Sequence, residues 1–323
     1  MIATSEGYDV IGDVHGHAKE LKCLLKKMGY RESEFGWYHP TRIAVFVGDL
    51  IDKGPEQIEV INIVRSMVDH GKALAVLGNH EFNAVSWLKE IEGMPGEYLR
   101  PHTSKNRRQH QAFLDQVIEG SPIHEDTVDW LAGLPVYLDL PEFRVVHACW
   151  NQPDIEAISA YLNNDRVMTR DAWQFVAREG TVLFKCIENI LKGPETELPR
   201  GFSFKDQYGN NRTKVRVQWW CGKGDTYQEV AMVSEDQKDA IPDTPVRDLS
   251  IDPYEDCKPV FIGHYWLSGQ PEFMSAQVCC LDYSVASDGK DGKLCAYRWN
   301  CGDESLDAGR FVWVHKDEVR KIS

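Results

Sequence analysis

Three times in the first ninety residues, a short apolar run gives way to a glycine-containing polar loop and then to residues spaced for an amphipathic helix. The first run, Tyr8 to Gly12, leads into a loop from Asp13 to His17. Leu21, Leu24, Leu25 and Met28 then recur on one helical face, and Gly29 ends the pattern. The second, Ile43 to Val47, passes through a loop to Pro55, which suits a first helical turn, and then to a helix with Ile58, Ile61, Val64 and Val68 inward before Gly71. The third, Leu74 to Leu77, is followed by Gly78-Asn79-His80-Glu81 and a helix near Val85 to Lys89. This alternation predicts an α/β fold, with each polar cluster at the carboxyl end of a strand, where open α/β sheets place their sites.

Further along, Gln109 to Glu119 and Asp126 to Ala132 carry helical spacing, and Pro135 to Leu140 with Phe143 to His147 reads as a strand pair. Three helices are expected between Pro153 and Leu191. From Lys192 to Asp256 the pattern dissolves into Gly, Pro and acidic residues around one alternating run, Lys214 to Trp219, which predicts an insertion or lid over residues 192–256. Strands return at Val260 to Gly263, Val278 to Leu281, Leu294 to Trp299 and Phe311 to Val314, with a hairpin-type turn signal at Asp288 to Gly292. No internal repeat is visible. Residues 1–323 are therefore expected to form a single α/β domain of two mixed sheets flanked by helices.

Bulk composition narrows the function classes. A chain of 323 residues with 42% hydrophobic content can bury a sizeable core. A formal net charge of -14 repels a nucleic-acid backbone, so no long nucleic-acid partner is expected. The one basic run, Lys105-Asn106-Arg107-Arg108, reads as a solvated helix start. No eighteen apolar residues run together, and Met1 to Val10 lacks a basic region followed by an apolar stretch, so neither export nor a membrane partner is expected. Nine cysteines, an odd number without a CxxC spacing, indicate no disulfide framework or zinc ribbon and point to a reducing cytoplasm.

Asp13, His15, Asp49, Asn79, His147 and His264 each follow an apolar strand-like run directly or by one or two residues. Singly, each has an ordinary explanation: Asp13 as a helix cap, Asn79 as a turn residue, His147 as a core histidine. Together they make a candidate metal-ligand set. Carboxylate oxygens mixed with imidazole nitrogens suit manganese, iron or zinc, and a carboxylate such as Asp49 can bridge two ions.

Gly12-Asp-Val-His-Gly16, Gly48-Asp-Leu-Ile-Asp-Lys-Gly-Pro55, Gly78-Asn-His-Glu81, the strand-end His147 and Gly263-His264 resemble the signature set of calcineurin-like metallophosphoesterases, in the bacterial branch related to Ser/Thr phosphoprotein phosphatases. The likeness runs from Asp9 to about Trp299, because Leu281-Asp-Tyr and the following Lys293-Leu-Cys-Ala resemble that branch's terminal hairpin. It implies a four-layer αββα sandwich. It further implies two divalent ions, manganese first with iron, zinc or magnesium as alternatives. Asp13, His15 and Asp49 would hold one ion, and Asp49, Asn79, His147 and His264 the other. His80, oriented by Asp52, matches the pair that protonates the leaving oxygen, and hydrolysis would proceed by attack of a hydroxide shared between the ions. The implied substrate is a phosphomonoester, in the manner of a Ser/Thr protein phosphatase. Symmetrical hydrolysis of dinucleoside tetraphosphates is one alternative, with Trp and Tyr of the insertion stacking a base, and an inactive scaffold of the same fold is another.

The sequence departs from the family pattern in three places. Trp266 stands where many members carry a second histidine in Gly-His-x-His, a ligand that the phosphoprotein phosphatase branch also lacks. Lys53 replaces the arginine of the eukaryotic phosphatases; it offers phosphate a charge but no planar fork. A second phosphate-binding arginine is implied between His147 and His264, and Arg216 is the candidate, though it equally suits an outward position on a half-buried strand. His17 is expected beside the site without being a ligand.

Overall fold

Along the long strands, successive apolar side chains point to opposite sides and both sides are buried. The computed structural model describes residues 6–205, 209–221, 224–246, 254–287 and 291–319. Of the turn expected over Asp288 to Gly292, residues 288–290 lie outside the described residues.

The amino-terminal half builds β1 (Gly7–Ile11), α1 (Ala18–Met28), a small hairpin of β2 (Arg31–Ser33) and β3 (Gly36–Tyr38), β4 (Arg42–Phe46), α2 (Gln57–Asp69), β5 (Ala73–Ala75) and α3 (Asn79–Leu88). Next come α4 (Ser104–Val117), α5 (Pro122–Ala132), β6 (Tyr137–Asp139), β7 (Arg144–Val146), α6 (Gln152–Ser159), α7 (Ala172–Val176) and α8 (Val182–Lys192). The segment expected as an insertion contains β8 (Glu195–Glu197), β9 (Phe204–Lys205), β10 (Asn211–Arg212), β11 (Lys214–Arg216) and α9 (Tyr227–Val230). The chain closes with β12 (Val260–Ile262), β13 (Val278–Cys280), β14 (Asp282–Tyr283), β15 (Lys293–Asn300), β16 (Phe311–His315) and α10 (Lys316–Val319).

Two mixed sheets carry the architecture. The larger has the order β14-β15-β1-β4-β5, with β16 on β15; β1, β4 and β5 run parallel, and β15 is antiparallel to β1. The smaller has the order β13-β12-β7-β6, with β12 parallel to both β13 and β7. Between the sheets lies one apolar layer made of Val10, Val45, Phe143, Phe261, Cys279, Cys295, Tyr297 and Trp299 among others. Their neighbours in sequence, Ile11, Ala44, Phe46, Val260, Ile262, Cys280 and Ala296, join a second core closed by the helices. A period of two with both faces apolar is what a sheet covered on both sides requires. Each large side chain so buried contributes about 1.5–3 kcal/mol. The layers are therefore helix, sheet, sheet, helix, as the family resemblance implies.

Two local outcomes differ from the sequence reading. The β2–β3 hairpin was not expected; its turn uses Gly36 at φ 94°, a left-handed conformation that glycine adopts without strain. Helix α3 starts at Asn79, not near Val85. Glu81 stabilises this early start, because its carboxylate reaches back to accept the Gly78 N–H at 2.9 Å.

The 192–256 segment has its own small core of Leu198, Val215, Tyr227, Ala231 and Ile241. It is fastened beside the sheets by Trp219, whose indole N–H lies 3.1 Å from the Ala148 carbonyl and 3.0 Å from the Tyr265 hydroxyl. Trp219 is 2% exposed and Trp220 5% exposed, so neither offers an open face to a base. These tryptophans are core residues because each ring packs into an aromatic group with Tyr254 or Tyr265. All nine cysteines are free. Among the described residues, no helix is long and apolar enough to cross a membrane.

Candidate metal centre

Strand ends of both sheets meet at Asp49. β1 leads to Asp13 and His15, β4 to Asp49, Asp52 and Lys53, and β5 to Asn79 and His80 at the start of α3; β7 leads to His147 and β12 to His264. Asp13, His15, Asp49, Asn79, His147 and His264 are all buried. Around the Asp49 carboxylate stand His147 Nε2 at 3.3 Å, His15 Nε2 at 3.5 Å and His80 Nε2 at 3.9 Å. Asn79 Oδ1 lies 3.1 Å from His147 Nε2 and 2.8 Å from His264 Nδ1. Asp13 Oδ2 is 4.0 Å from His15 Nε2 and accepts the His264 backbone N–H at 3.1 Å.

The loops hold these side chains in a tight space. Six non-glycine residues of the site loops have positive φ: His15, Asp49, Asp52, Lys53, His264 and Trp266. Such conformations typically cost about 1–3 kcal/mol each and persist where the surroundings impose them. Here the close approaches do so. A Cβ on Gly263 would collide with Asp13 Oδ1, and one on Gly78 with the Asp49 carboxylate and amide.

Two overlapping groups could hold cations, His15 with Asp49 and His80, and Asp49 with His147 and His264; within each group the ligand atoms lie within 4.8 Å of one another. Hydrogen bonding prepares them for that. His15 Nδ1 and His147 Nδ1 each donate to a carbonyl, of Ile51 and Val47 respectively, at 2.8 Å. This turns Nε2 of each toward Asp49. Burial opposes a charge on His147, but the Asp49 carboxylate raises it to about 10, so a cation bound there would displace the His147 Nε2 proton. His15 Nε2 and Asp13 Oδ1 are buried without a hydrogen-bond partner. Buried polar atoms are normally satisfied, so these atoms fit a divalent cation.

Electrostatics point the same way. Burial, then the Lys53 charge, push His15 well below the usual histidine range, and burial with the Arg216 charge does the same to His264. Both imidazoles are therefore neutral, the form that binds metal. Burial followed by the neighbouring Asp282 raises Asp13 strongly, a repulsion that a cation relieves. Burial opposes ionisation of Asp49, yet His147 and His80 hold it well below the usual carboxylate range.

His80 Nδ1 lies 2.5 Å from Asp52 Oδ2. Lys53 is exposed, with its ammonium 3.4 Å above the centre of the half-buried Trp266 ring, and that ring is 6.1 Å from the His15 ring. Arg216 is half-buried on β11 with its Nε unpartnered, and its charge is one of the influences that lower His264. His17 is buried at the start of α1, with Nδ1 3.6 Å from Glu20. Three residues at the site were given no role in the sequence reading, although Glu81 and Asp282 lie inside motifs it quotes. Glu81 is fully buried and gathers four backbone N–H groups, those of Asp49, Leu50, Ile51 and Gly78. Asp282 accepts the Trp266 and Ser284 amides. His110 lies on α4 against Asp52. Only Glu81 had a readable signal, as the third residue of a helix whose cap is Gly78.

Residues 8–177, from β1 through His147 and beyond, match the sequence pattern of the calcineurin-like phosphoesterases. The chain belongs to the calcineurin-like phosphoesterase family. Among curated proteins it is 33% identical over 144 residues to the asymmetrical bis(5'-nucleosyl)-tetraphosphatase PrpE of Oceanobacillus iheyensis, covering 40% of this chain and 57% of that protein. To the protein of the same name from Geobacillus thermodenitrificans it is 45% identical over 125 residues, covering 36% of this chain and 51% of that one. The chain thus spans little more than half the length of these relatives. Among solved structures, a cold-active protein-tyrosine phosphatase of a psychrophilic Shewanella species shares the fold, with a TM-score of 0.50 and 16% identity over 96% of this chain and 80% of that one.

Proposed function

We propose that this calcineurin-like phosphoesterase hydrolyses phosphomonoesters with two divalent ions, manganese in the first instance. The observation that carries the reading is the convergence on Asp49 of three imidazole nitrogens within 4 Å, beside buried atoms of His15 and Asp13 that have no partner. Asp13, His15 and Asp49 would hold one ion, and Asp49, Asn79, His147 and His264 the other. Bound there, the ions supply Lewis acidity toward phosphoryl oxygens and an activated water at neutral pH.

The chain's own groups supply the rest. His80 protonates the departing oxygen through Nε2 while Asp52 holds its Nδ1–H and stabilises the imidazolium. Proton transfer of this kind is typically worth about 10²–10⁴-fold. Lys53, over the Trp266 ring beside His15, and Arg216 provide positive charge for phosphate oxygens. A phosphoserine or phosphothreonine side chain is the substrate we place first, and the nine free thiols support a reducing compartment such as the cytoplasm.

A second reading, hydrolysis of dinucleoside tetraphosphates, is supported by the names of the curated relatives. Those names specify asymmetrical cleavage, whereas the sequence reading raised the symmetrical kind. One panel separates the possibilities: a phosphopeptide, an aryl phosphate and diadenosine tetraphosphate, each with manganese and with a chelator. Metal-dependent turnover of the phosphopeptide above the dinucleotide supports the first reading. A kcat/KM for the dinucleotide far above every phosphopeptide establishes the second, and its products, triphosphate with monophosphate or two diphosphates, decide the cleavage mode. Absence of turnover on all three substrates leaves an inactive scaffold.

A further inference from the structure

We propose that His110 is a positioning residue for the Asp52–His80 pair, so that proton delivery to the leaving group depends on three residues in line. The inference rests on the assignment of His80 as proton donor given above. Asp52 is 1% exposed and its two carboxylate oxygens are divided between two histidines: Oδ2 lies 2.5 Å from His80 Nδ1 and Oδ1 lies 2.8 Å from His110 Nδ1. His110 is fully buried. An ionised carboxylate only accepts hydrogen bonds, so His110 presents Nδ1–H to it.

The geometry is unusual for a histidine that merely fills space. His110 Nε2 is buried with no partner, whereas the side with a partner is spent on the carboxylate that holds His80 Nδ1. Burial works against ionisation of Asp52, yet His110, followed by His80, holds that carboxyl well below its usual range. Asp52 also occupies a left-handed backbone conformation, φ 68°, which needs external support. Helix α4 gives that support twice. His110 grips the Asp52 side chain, and further along the same helix Gln116 accepts the Gln57 N–H at 2.8 Å and donates to the Pro55 carbonyl at 2.6 Å. Gln57 in turn accepts the Asp52 backbone N–H at 2.7 Å. The rotamer of Asp52, and through it the ring plane of His80, is thereby fixed from a helix that contributes nothing to the Asp49 cluster.

The test compares two substrates in the manganese-loaded enzyme: an alkyl phosphate, whose leaving oxygen needs a proton, and a dinitrophenyl phosphate, whose leaving oxygen does not. His110→Phe keeps the ring stack on Phe113 (ring centres 4.9 Å apart) but removes the donor. It should lower kcat on the alkyl ester by about 10- to 100-fold, the range typical of an outer partner that orients a histidine, with KM and dinitrophenyl turnover nearly unchanged. His110→Asn places an amide N–H near the position of Nδ1 and should recover most of the loss. In an Asp52→Asn background, His110→Phe should have no further effect. Should His110→Phe not fold, His110→Gln, whose amide sits where Nε2 was, takes its place with the same outcomes. Equal losses on both esters, or a loss that adds to that of Asp52→Asn, overturn the inference. Full alkyl-ester activity in the variant overturns it as well. His80→Asn is the control: if it too affects both esters equally, the proton-donor assignment falls and this inference with it, whereas a selective His80 effect without a selective His110 effect overturns the inference alone.

Discussion

The Glu81 carboxylate accepts the Asp49 backbone N–H at 2.8 Å, and both residues are buried. Asp49 stands at φ 49°, so this hydrogen bond helps maintain a strained backbone at the centre of the site. Glu81→Gln replaces a carboxylate that serves four N–H groups by an amide with a single acceptor. Each buried donor left unpaired costs about 1–3 kcal/mol. A lowered melting temperature and reduced manganese content are expected, measured by thermal unfolding and elemental analysis. A Glu81→Gln protein with unchanged values of both would show that the loop holds itself.

Metal dependence is the simplest consequence of the Asp49 cluster. Chelation should abolish phosphoester turnover, and manganese should restore it. Asp49→Asn should reduce both bound metal and rate, because it removes the charge that faces three imidazoles. A fully active Asp49→Asn enzyme free of metal would remove the basis of the proposed mechanism.

The two tryptophan positions should behave differently. Trp219 is buried, so Trp219→Ala should cost about 3–5 kcal/mol of stability and lower activity on every substrate together. Trp266 is half-buried beside His15 and Lys53. If a nucleotide base stacks there, Trp266→Ala should reduce kcat/KM for diadenosine tetraphosphate by about 5- to 150-fold, equivalent to 1–3 kcal/mol, and spare a small aryl phosphate. Unchanged dinucleotide kinetics would exclude Trp266 as a stacking surface.

Asp52 makes stability depend on pH with a definite sign. Its folded pKa lies below the unfolded value, so the ionised carboxylate stabilises the fold above about pH 5, and this contribution is lost as pH falls below that. In chelator, the stability advantage of wild type over Asp52→Asn should shrink as pH falls from 5 toward 3. Urea midpoints across that range measure it; a difference independent of pH would mean that Asp52 is not ionised in the fold.

Much of this was legible in the sequence because it was written locally. The three early strand–loop–helix units follow from apolar runs and glycines, and the strands come out covered on both faces because their runs lack polar alternation. The sandwich itself was not legible that way: nothing in Val145 or Cys279 says which sheet it joins, and the family likeness supplied the layers. The β2–β3 hairpin escaped because its strands are three residues each, too short for a period to show. Trp219 and Trp220 looked available to a base only because an irregular segment was assumed to be open. His110 left no trace, since a histidine in a polar helical stretch becomes meaningful only when the helix is set against Asp52, 58 positions earlier.

Neither sheet contains the Asp49 cluster by itself: Asp13, His15, Asp49 and Asn79 issue from the larger one, His147 and His264 from the smaller. The cluster is consequently a rivet through a seam, and its order of assembly is constrained. An intermediate with only the larger sheet folded would present an incomplete ligand set, so tight cation uptake must wait until the seam closes. A ligand that binds the closed state alone favours closure by mass action, and cation concentration would then govern how often the two halves part, an opening that amide exchange along the Val10–Phe261 layer would record.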